Sequence, residues 1–168
     1  HDKHGITLEG IGLPMIIIYV IADIGSVAGG WLSSHYIKRN RSLDFARKRT
    51  MLYCALGVLP IVFASQTGNL YIAVALISLA AASHTGWMAN VYAIISDVFP
   101  RKAIGSVTGI SVLAAVAGGM VYATAIGFIL EKTGSYFLIF LLSSLAYLTS
   151  WIILKIGIPD IKPIKFSD

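Results

Sequence analysis

The residues with the clearest chemical potential lie in one polar stretch, SHTGWMANVY, at residues 83–92. At 100° per helical residue, His84, Trp87 and Asn90 fall within an arc of about 120°. An amide and an imidazole hydrogen-bond to hydroxyl groups, and an indole ring stacks on the face of a sugar. The stretch therefore predicts a binding site for a small hydroxylated molecule with a carboxylate. The alternative interpretation is that His84 and Asn90 only hydrogen-bond to neighbouring helices. The residues assigned to this site are His84, Thr85, Trp87, Asn90 and Tyr92.

Asp23 is a second candidate, because it is the one formal charge within residues 10–37. It lies roughly 18 Å from either end of its predicted helix, at a depth where a carboxylate costs about 2.5–3.5 kcal/mol. Two interpretations stay open: a proton-carrying or substrate-gating carboxylate that faces a cavity, and an acid that holds two helix bundles together. Among the groups expected at depth, only His84 can become cationic, so this sequence offers an anionic substrate no strong counter-ion.

The third candidate is the turn DVFPRKAIG, residues 97–105. Pro100 stops a helix here, and Asp97 and Arg101 are placed to form ion pairs with a neighbouring loop. The sequence shows no metal-ligand motif, no nucleophile beside a base and no glycine-rich phosphate loop. We therefore expect no enzyme, metal or cofactor; an intramembrane enzyme would need converging His and Asp side chains.

The elements that carry these residues are long stretches without formal charge. Residues 50–96, 103–130 and 133–154 contain no Asp, Glu, Lys or Arg. A hydrocarbon layer of roughly 30 Å requires about 20 apolar residues as a helix. The fold class is therefore an all-α membrane protein. Five transmembrane helices are predicted, at about 11–36, 50–66, 70–96, 106–130 and 136–156. Pro60 predicts a kink in the second, with its freed carbonyl bonded to a neighbouring helix.

Composition and charge placement give an orientation. Charged residues make up 12% of the chain and hydrophobic residues 57%, which excludes a soluble domain. Of 13 Lys and Arg, eleven fall on one face, in the loops 37–49 and 97–105 and around the tail 157–168. The positive-inside rule makes this face cytoplasmic. The basic balance is thus topological, and with no nucleic-acid-binding signature present we expect no nucleic-acid partner.

Small residues predict close helix packing. Gly25 with Gly29, and Gly105 with Gly109, are four apart, the spacing that lets membrane helices approach closely. The string VAGG occurs in the first and the fourth predicted helix. This repeat predicts that the two helices occupy equivalent positions of an internally repeated fold.

Three stretches carry a family resemblance: ADIGSVAGGWLSSHYIKR, SHTGWMAN, and SDVFPRKAIGSVTGI with the VAGGM run that follows. They resemble the major facilitator superfamily, and within it the anion:cation symporter group, which includes hexuronate and other sugar-acid transporters. The likeness covers nearly the whole chain. It implies helices eight to twelve of a twelve-helix transporter, that is, most of its carboxyl-terminal bundle. Because the sequence starts at His1, we expect a fragment whose partner is the missing amino-terminal half.

The resemblance also implies a cytoplasmic gate. The family motif G-x-x-x-D-x-x-G-R-x-R is matched at its first glycine by Gly30, but Ser34 stands at the acid, so the charge relay of this loop looks degraded. Asp97, Arg101 and Gly105 fit the other half of the gate.

Other family positions bear on the substrate. Cavity positions of some sugar-acid members match Ala89, Tyr92 and Val112, of which only Tyr92 is polar here. The family's anion-binding arginines lie mainly in the absent half.

The function expected from this resemblance is proton-coupled symport of a small organic anion, a hexuronate or related sugar acid, by alternating access. The expected partners are the anion, protons, membrane lipid and the missing half. The expected location is the cell membrane, or the inner membrane of a Gram-negative bacterium, with a cytoplasmic carboxyl terminus. The alternative from another class is a membrane-embedded ligand-binding sensor or assembly subunit that transports nothing.

Overall fold

The computed structural model describes residues 8–164, with side chains from residue 12 onward, so residues 165–168 of the predicted tail lie outside the described range. Within that range the chain is helical and has no strand. The helices are α1 (Leu8–Lys38), α2 (Leu43–Val58), α3 (Leu70–Val98), α4 (Arg101–Thr133) and α5 (Tyr136–Gly157), and a 3₁₀ segment, Leu59–Ser65, extends α2. Among the residues that the structure describes, five helical stretches are long and apolar enough to span a membrane. The predicted fold class is confirmed.

Helix α2 begins at Leu43, seven residues before the start of the predicted span. The Ser42 hydroxyl oxygen accepts the Phe45 backbone N–H at 3.2 Å and so caps one of the free donors of the first turn. Asp44 lies in that first turn, where its charge interacts favourably with the positive end of the helix dipole. The cations at residues 47–49 therefore belong to a helix rather than to a loop.

Helix α2 ends at Val58, two residues before Pro60, which cannot continue it. Proline has no N–H, and its ring clashes with the carbonyl four residues before it. That carbonyl, of Leu56, accepts the N–H of Leu59, and the chain continues as the 3₁₀ segment. The prediction that the freed carbonyl bonds to a neighbouring helix is therefore wrong, because the tighter 3₁₀ turn supplies an N–H donor from the same stretch of chain.

Helices α1 and α3 pack with their backbones in contact. A Cβ added to Gly29 would lie 2.7 Å from the Cα of Gly86, and one added to Gly25 would overlap the backbone of Ala82. Real Cβ atoms do not approach so closely, so only glycine fits at these two points of α1. The predicted role of Gly25 and Gly29 in close packing is confirmed, and the short separation gives dispersion contacts along both helices.

Helix α2 connects α3 to α5 through the main buried cluster. Met51 and Ala55 of α2 pack against Trp87 of α3, and all three are at most 8% exposed. From α5, the indole N–H of Trp151 donates to the Lys48 carbonyl at 2.8 Å. Helices α1, α2, α3 and α5 therefore form one packed unit.

Helix α4 contributes no buried residue to the described chain. Its glycines have open space around them, in contrast to those of α1. The packing role predicted for Gly105 and Gly109 is thus not fulfilled among residues 8–164. One side of the bundle, along α4, remains open.

Candidate functional site

An open cleft of about 560 Å³ lies between α3, α4 and α5. The predicted site residues His84 and Trp87 lie there together. The remaining lining residues are Met88 of α3, Ala115, Gly118, Gly119 and Tyr122 of α4, and Ser143, Ala146, Tyr147 and Ser150 of α5. The cleft has the size of an ordinary small-molecule site, and two of the five predicted substrate-binding residues share it.

Hydrogen-bonded aromatic residues form part of the walls of this cleft. His84 Nδ1 lies 2.5 Å from the Tyr147 hydroxyl oxygen, and the imidazole tautomer decides which of the two donates. The rings of Trp87 and Tyr147 meet edge to face, with centroids 5.6 Å apart. The hydroxyls of Tyr122 and Ser143, 2.5 Å apart, join α4 to α5. The cleft presents imidazole, phenol and indole groups and no lysine or arginine from the described chain.

Tyr92 lies outside this cleft, one helical turn from Met88. Its side chain is 44% exposed and lines a neighbouring cleft of about 360 Å³ between α3 and α4. Met88 lines both clefts, and Val112 of α4 lies opposite Tyr92 in the second one. The two clefts are therefore adjacent along α3, and a molecule that occupies both would contact Trp87 and Tyr92.

Thr85 and Asn90 face α1 instead. The Thr85 hydroxyl donates to the Ala22 carbonyl at 2.5 Å. The Asn90 amide nitrogen donates to the Gly29 carbonyl at 3.2 Å and to the Gly86 carbonyl at 3.0 Å, and Asn90 is fully buried. The structure does not bring these two residues together with His84. Both satisfy backbone carbonyls at the α1–α3 contact.

Arg47 organises a second polar group where α1, α2 and α3 meet. Its Nε and Nη2 lie 2.9 and 2.8 Å from the same Asp97 carboxylate oxygen, and its Nη1 donates to Ser33 Oγ at 2.8 Å and to Asn90 Oδ1 at 3.4 Å. Arg47 and its neighbour Lys48 are each 8% exposed. The expectation that His84 is the only group at depth able to carry a positive charge is therefore wrong. The Arg47 guanidinium is paired with Asp97 of the same chain.

Sequence reasoning missed Arg47 because it assigned every residue of 37–49 to a loop. A usable signal was present: Ser42 followed by Asp44 is typical of a helix start, and it places Arg47 one turn inside α2. The cleft residues Tyr147 and Ser143 were missed too. They are four apart on α5, and Ser150 continues the same helical face. That polar stripe in an apolar helix could have identified them.

The remaining predicted gate residues differ in their surroundings. Asp97 pairs with Arg47, whereas Arg101 is exposed at the start of α4. Gly30 and Gly105 have open space where a Cβ would project. The serine that carries a contact to Arg47 is Ser33, one residue before the motif's acid position.

Asp23 is exposed on α1, next to the buried Ala22 that contacts α3. Seven residues separate it from Gly30, so both project from nearly the same side of α1. Within residues 12–164 the Asp23 carboxylate makes no hydrogen bond or ion pair, and no group of three potential metal ligands occurs in that range. Asp23 therefore projects from the packed unit with its charge unneutralised by this part of the chain.

Comparison with known proteins extends over nearly the whole sequence. The family model described as Major Facilitator Superfamily matches residues 1–166. The chain is 27% identical over 145 residues to a hexuronate transporter of Bacillus subtilis (strain 168), covering 84% of the chain and 34% of that relative. It is 24% identical over 133 residues to a D-galactonate transporter of Escherichia coli O6:H1, covering 79% of the chain and 31% of that relative. The matches thus span about a third of these curated relatives.

Proposed function

Because the chain belongs to the Major Facilitator Superfamily, we propose that it forms the carboxyl-terminal part of a secondary transporter for a small organic anion. The substrate is a hexuronate or related sugar acid, carried in symport with protons. One observation carries the proposal: α3 is fixed to α1 and α2, while its other side leaves an aromatic and hydroxyl-lined cleft of about 560 Å³ open within a transporter-family chain. Two relatives named for hexuronate and D-galactonate transport support the substrate class.

The substrate contacts come from the accessible side of α3. His84 and Trp87 in the larger cleft and Tyr92 in the smaller one provide a hydrogen-bonding ring, a stacking face and a phenol hydroxyl for the sugar acid. Thr85 and Asn90 contribute indirectly, since their bonds to α1 carbonyls fix the rotation of α3. The cation for the substrate carboxylate comes from elsewhere in the whole protein, because Arg47, the buried arginine among the described residues, is paired with Asp97.

The partner of this bundle is the amino-terminal half of the same transporter, against which it rocks during alternating access. Two open surfaces support this: α4 buries no residue, and Asp23 projects from α1 without a partner among the described residues. A carboxylate near mid-membrane is costly when unpaired. Asp23 therefore either carries the coupled proton or bonds to the second bundle.

The start of α2, with Arg47 and Lys48, and the start of α4, with Arg101 and Lys102, form the cationic end of the bundle. By the positive-inside rule this end is cytoplasmic. The chain lies in the cell membrane with its carboxyl terminus in the cytosol. The Arg47–Asp97 pair is the working part of the gate on this side, supported by Ser33 and Asn90. It takes the place of the charge relay that Ser34 interrupts. Arg101 and Gly105, which are open at the start of α4, face the second bundle when the gate closes.

Uptake of labelled glucuronate into liposomes that contain the full-length protein tests this function. We expect accumulation against a gradient, loss of accumulation with a protonophore, and competition by D-galactonate. His84→Ala should lower kcat/KM about tenfold, the effect of losing one hydrogen bond to a charged or strongly polar substrate. His35→Ala is the matched control, since His35 stacks on Trp31 of its own helix, away from the cleft.

Saturable glucuronate binding without accumulation would overturn transport and favour a ligand-binding sensor. Equal kcat/KM values for His84→Ala and His35→Ala would remove the cleft from the proposal while leaving transport intact. Asp23→Asn separates its two roles: a proton carrier loses uphill uptake and keeps exchange of substrate, whereas a bundle contact loses expression or stability.

A further inference from the structure

The chain does not leave the bundle where α5 ends. Residues 158–164 turn back across the cationic end, and Ile161 is only 1% exposed there. Its backbone N–H donates to the Asp44 carboxylate at 3.1 Å. The Lys48 ammonium donates to the Pro159 carbonyl at 2.9 Å and also pairs with Asp44 at 2.5 Å. This segment is therefore bound to the first turns of α2 by two charge-assisted hydrogen bonds and a buried side chain.

The same segment also binds the end of α3. The Ile164 N–H donates to the Val98 carbonyl at 2.8 Å. Val98 is the last residue of α3, and carbonyls in the last turn of a helix lack a partner within it. Ile158, Ile161 and Ile164 line an apolar cavity of about 520 Å³ beneath the segment. Ile161 is buried against the helix ends, whereas Ile158 and Ile164 at the edges of the cavity are 40% and 44% exposed.

Both anchor points are sequence neighbours of the proposed gate pair. Lys48 follows Arg47 on α2, and Val98 follows Asp97 on α3. The segment connects these neighbours directly, so its bonds limit how far the two helix ends can separate. We propose that residues 158–164 act as a strap that holds the cationic ends of α2 and α3 in register and thereby positions Arg47 on Asp97.

The strap is a conformational device as well as a contact. While the strap is bound, the distance between Arg47 and Asp97 is short, and the packed contact between α2 and α3 next to this pair, here called the seam, is closed. When the strap is released, the pair separates and the seam opens. Its role as part of a gate rests on the proposed function, but its effect on the seam does not. The seam can therefore be measured without any substrate.

A buried cysteine reports the state of the seam. Thr50 lies one turn beyond Arg47 on α2, where α2 meets both α1 and α3, and is fully buried. We place Thr50→Cys in the full-length protein with Cys54→Ala and its other cysteines removed, and measure the rate of labelling by a membrane-impermeant maleimide in proteoliposomes. Ile161→Asp should raise this rate about tenfold, because it replaces a buried apolar anchor by a charge. Ending the chain after Gly157 should do the same.

Two further variants show whether the strap acts through the gate pair. Arg47→Gln should also raise the labelling rate, and combining it with Ile161→Asp should give no further increase, since both changes release the same contact. Lys162→Ala is the matched control within the strap. Its side chain is 75% exposed and pairs with Asp160 of the same segment, so the labelling rate should stay within twofold of the parent.

General unfolding is recognised by a second reporter, Ser78→Cys, at a buried position of α3 away from the strap. If Ile161→Asp also exposes the cysteine at position 78, the milder variant Asp44→Asn is used in its place. Asp44→Asn removes the ion pair with Lys48 and so weakens the binding of the strap to α2. A labelling rate within twofold of the parent for the folded variants would overturn the proposal, as would an equal increase for Lys162→Ala. Failure of glucuronate uptake in the parent overturns the proposed function and leaves the labelling result valid.

Discussion

Replacing Arg47 by methionine should destabilise the protein strongly. The arginine side chain is 10% exposed and that of Asp97 26%, so both charges are largely removed from water. Without the guanidinium, the carboxylate of Asp97 and the oxygens of Ser33 and Asn90 lose their shared donor. Removing one partner of a buried pair costs about 3–5 kcal/mol. We expect a loss near the lower end of that range, because Asp97 retains some contact with water.

The assay is the free energy of unfolding of the full-length protein in detergent, by denaturant titration. The matched control is Arg49→Met, on the same helix two residues further along. Arg49 is exposed and contacts Tyr53, with a hydrogen bond of 3.2 Å and its guanidinium over the ring. Exposed contacts of this kind contribute about 1 kcal/mol or less. Arg47→Met should therefore cost at least three times as much as Arg49→Met.

Two additional variants probe the cause. Arg47→Lys should recover only part of the loss, because an ammonium is a point charge and lacks the planar fork that reaches three partners. Arg47→Met with Asp97→Leu should be more stable than Arg47→Met alone, since the stranded carboxylate is gone. Equal costs for Arg47→Met and Arg49→Met would refute the reasoning. Full recovery by Arg47→Lys would show that charge alone, without the fork geometry, is sufficient.

Three further changes test separate contacts. Gly29→Val should destabilise by several kcal/mol or abolish folding, because its Cβ has no room against the α3 backbone; Ala28→Val, exposed beside it, should change thermal stability little. Thr50→Val should stabilise by about 1 kcal/mol in the same titration, since the buried Thr50 hydroxyl has no hydrogen-bond partner among the described residues. Tyr147→Phe should raise KM for glucuronate a few-fold with kcat retained, because His84 loses its orienting hydroxyl; an unchanged KM would contradict it.

The helical framework was predictable because the cost of charge in lipid is large and local. Stretches without charge identify spans independently of tertiary contacts. Glycines four apart identified α1 as a closely packed helix but not α3 as its partner, and the same spacing in α4 has open space around it. The start of α2 was not predictable in this way. Lys48 is compensated by Asp44, one turn earlier on the same helix. Arg47 is compensated by Asp97 at the end of α3, and this second compensation exists only once α2 and α3 have met.

The candidate site was only partly predictable, for a geometric reason. The arc that contains His84, Trp87 and Asn90 is about 120° wide, wide enough to face two neighbours of α3 at once. The sequence indicates that these side chains share a face, but not where the boundary between neighbouring helices falls. In the structure this boundary separates His84 in the cleft from Asn90 against α1.

The cleft and the cationic end are mechanically connected through two helices. Trp87 lines the cleft and also packs on Met51 of α2, and Arg47 lies one helical turn before Met51. Asn90, one turn beyond Trp87 on α3, accepts a hydrogen bond from that arginine. A shift of α3 against α2 therefore cannot change the shape of the cleft without also changing the contacts of Arg47, because close-packed interfaces move as units.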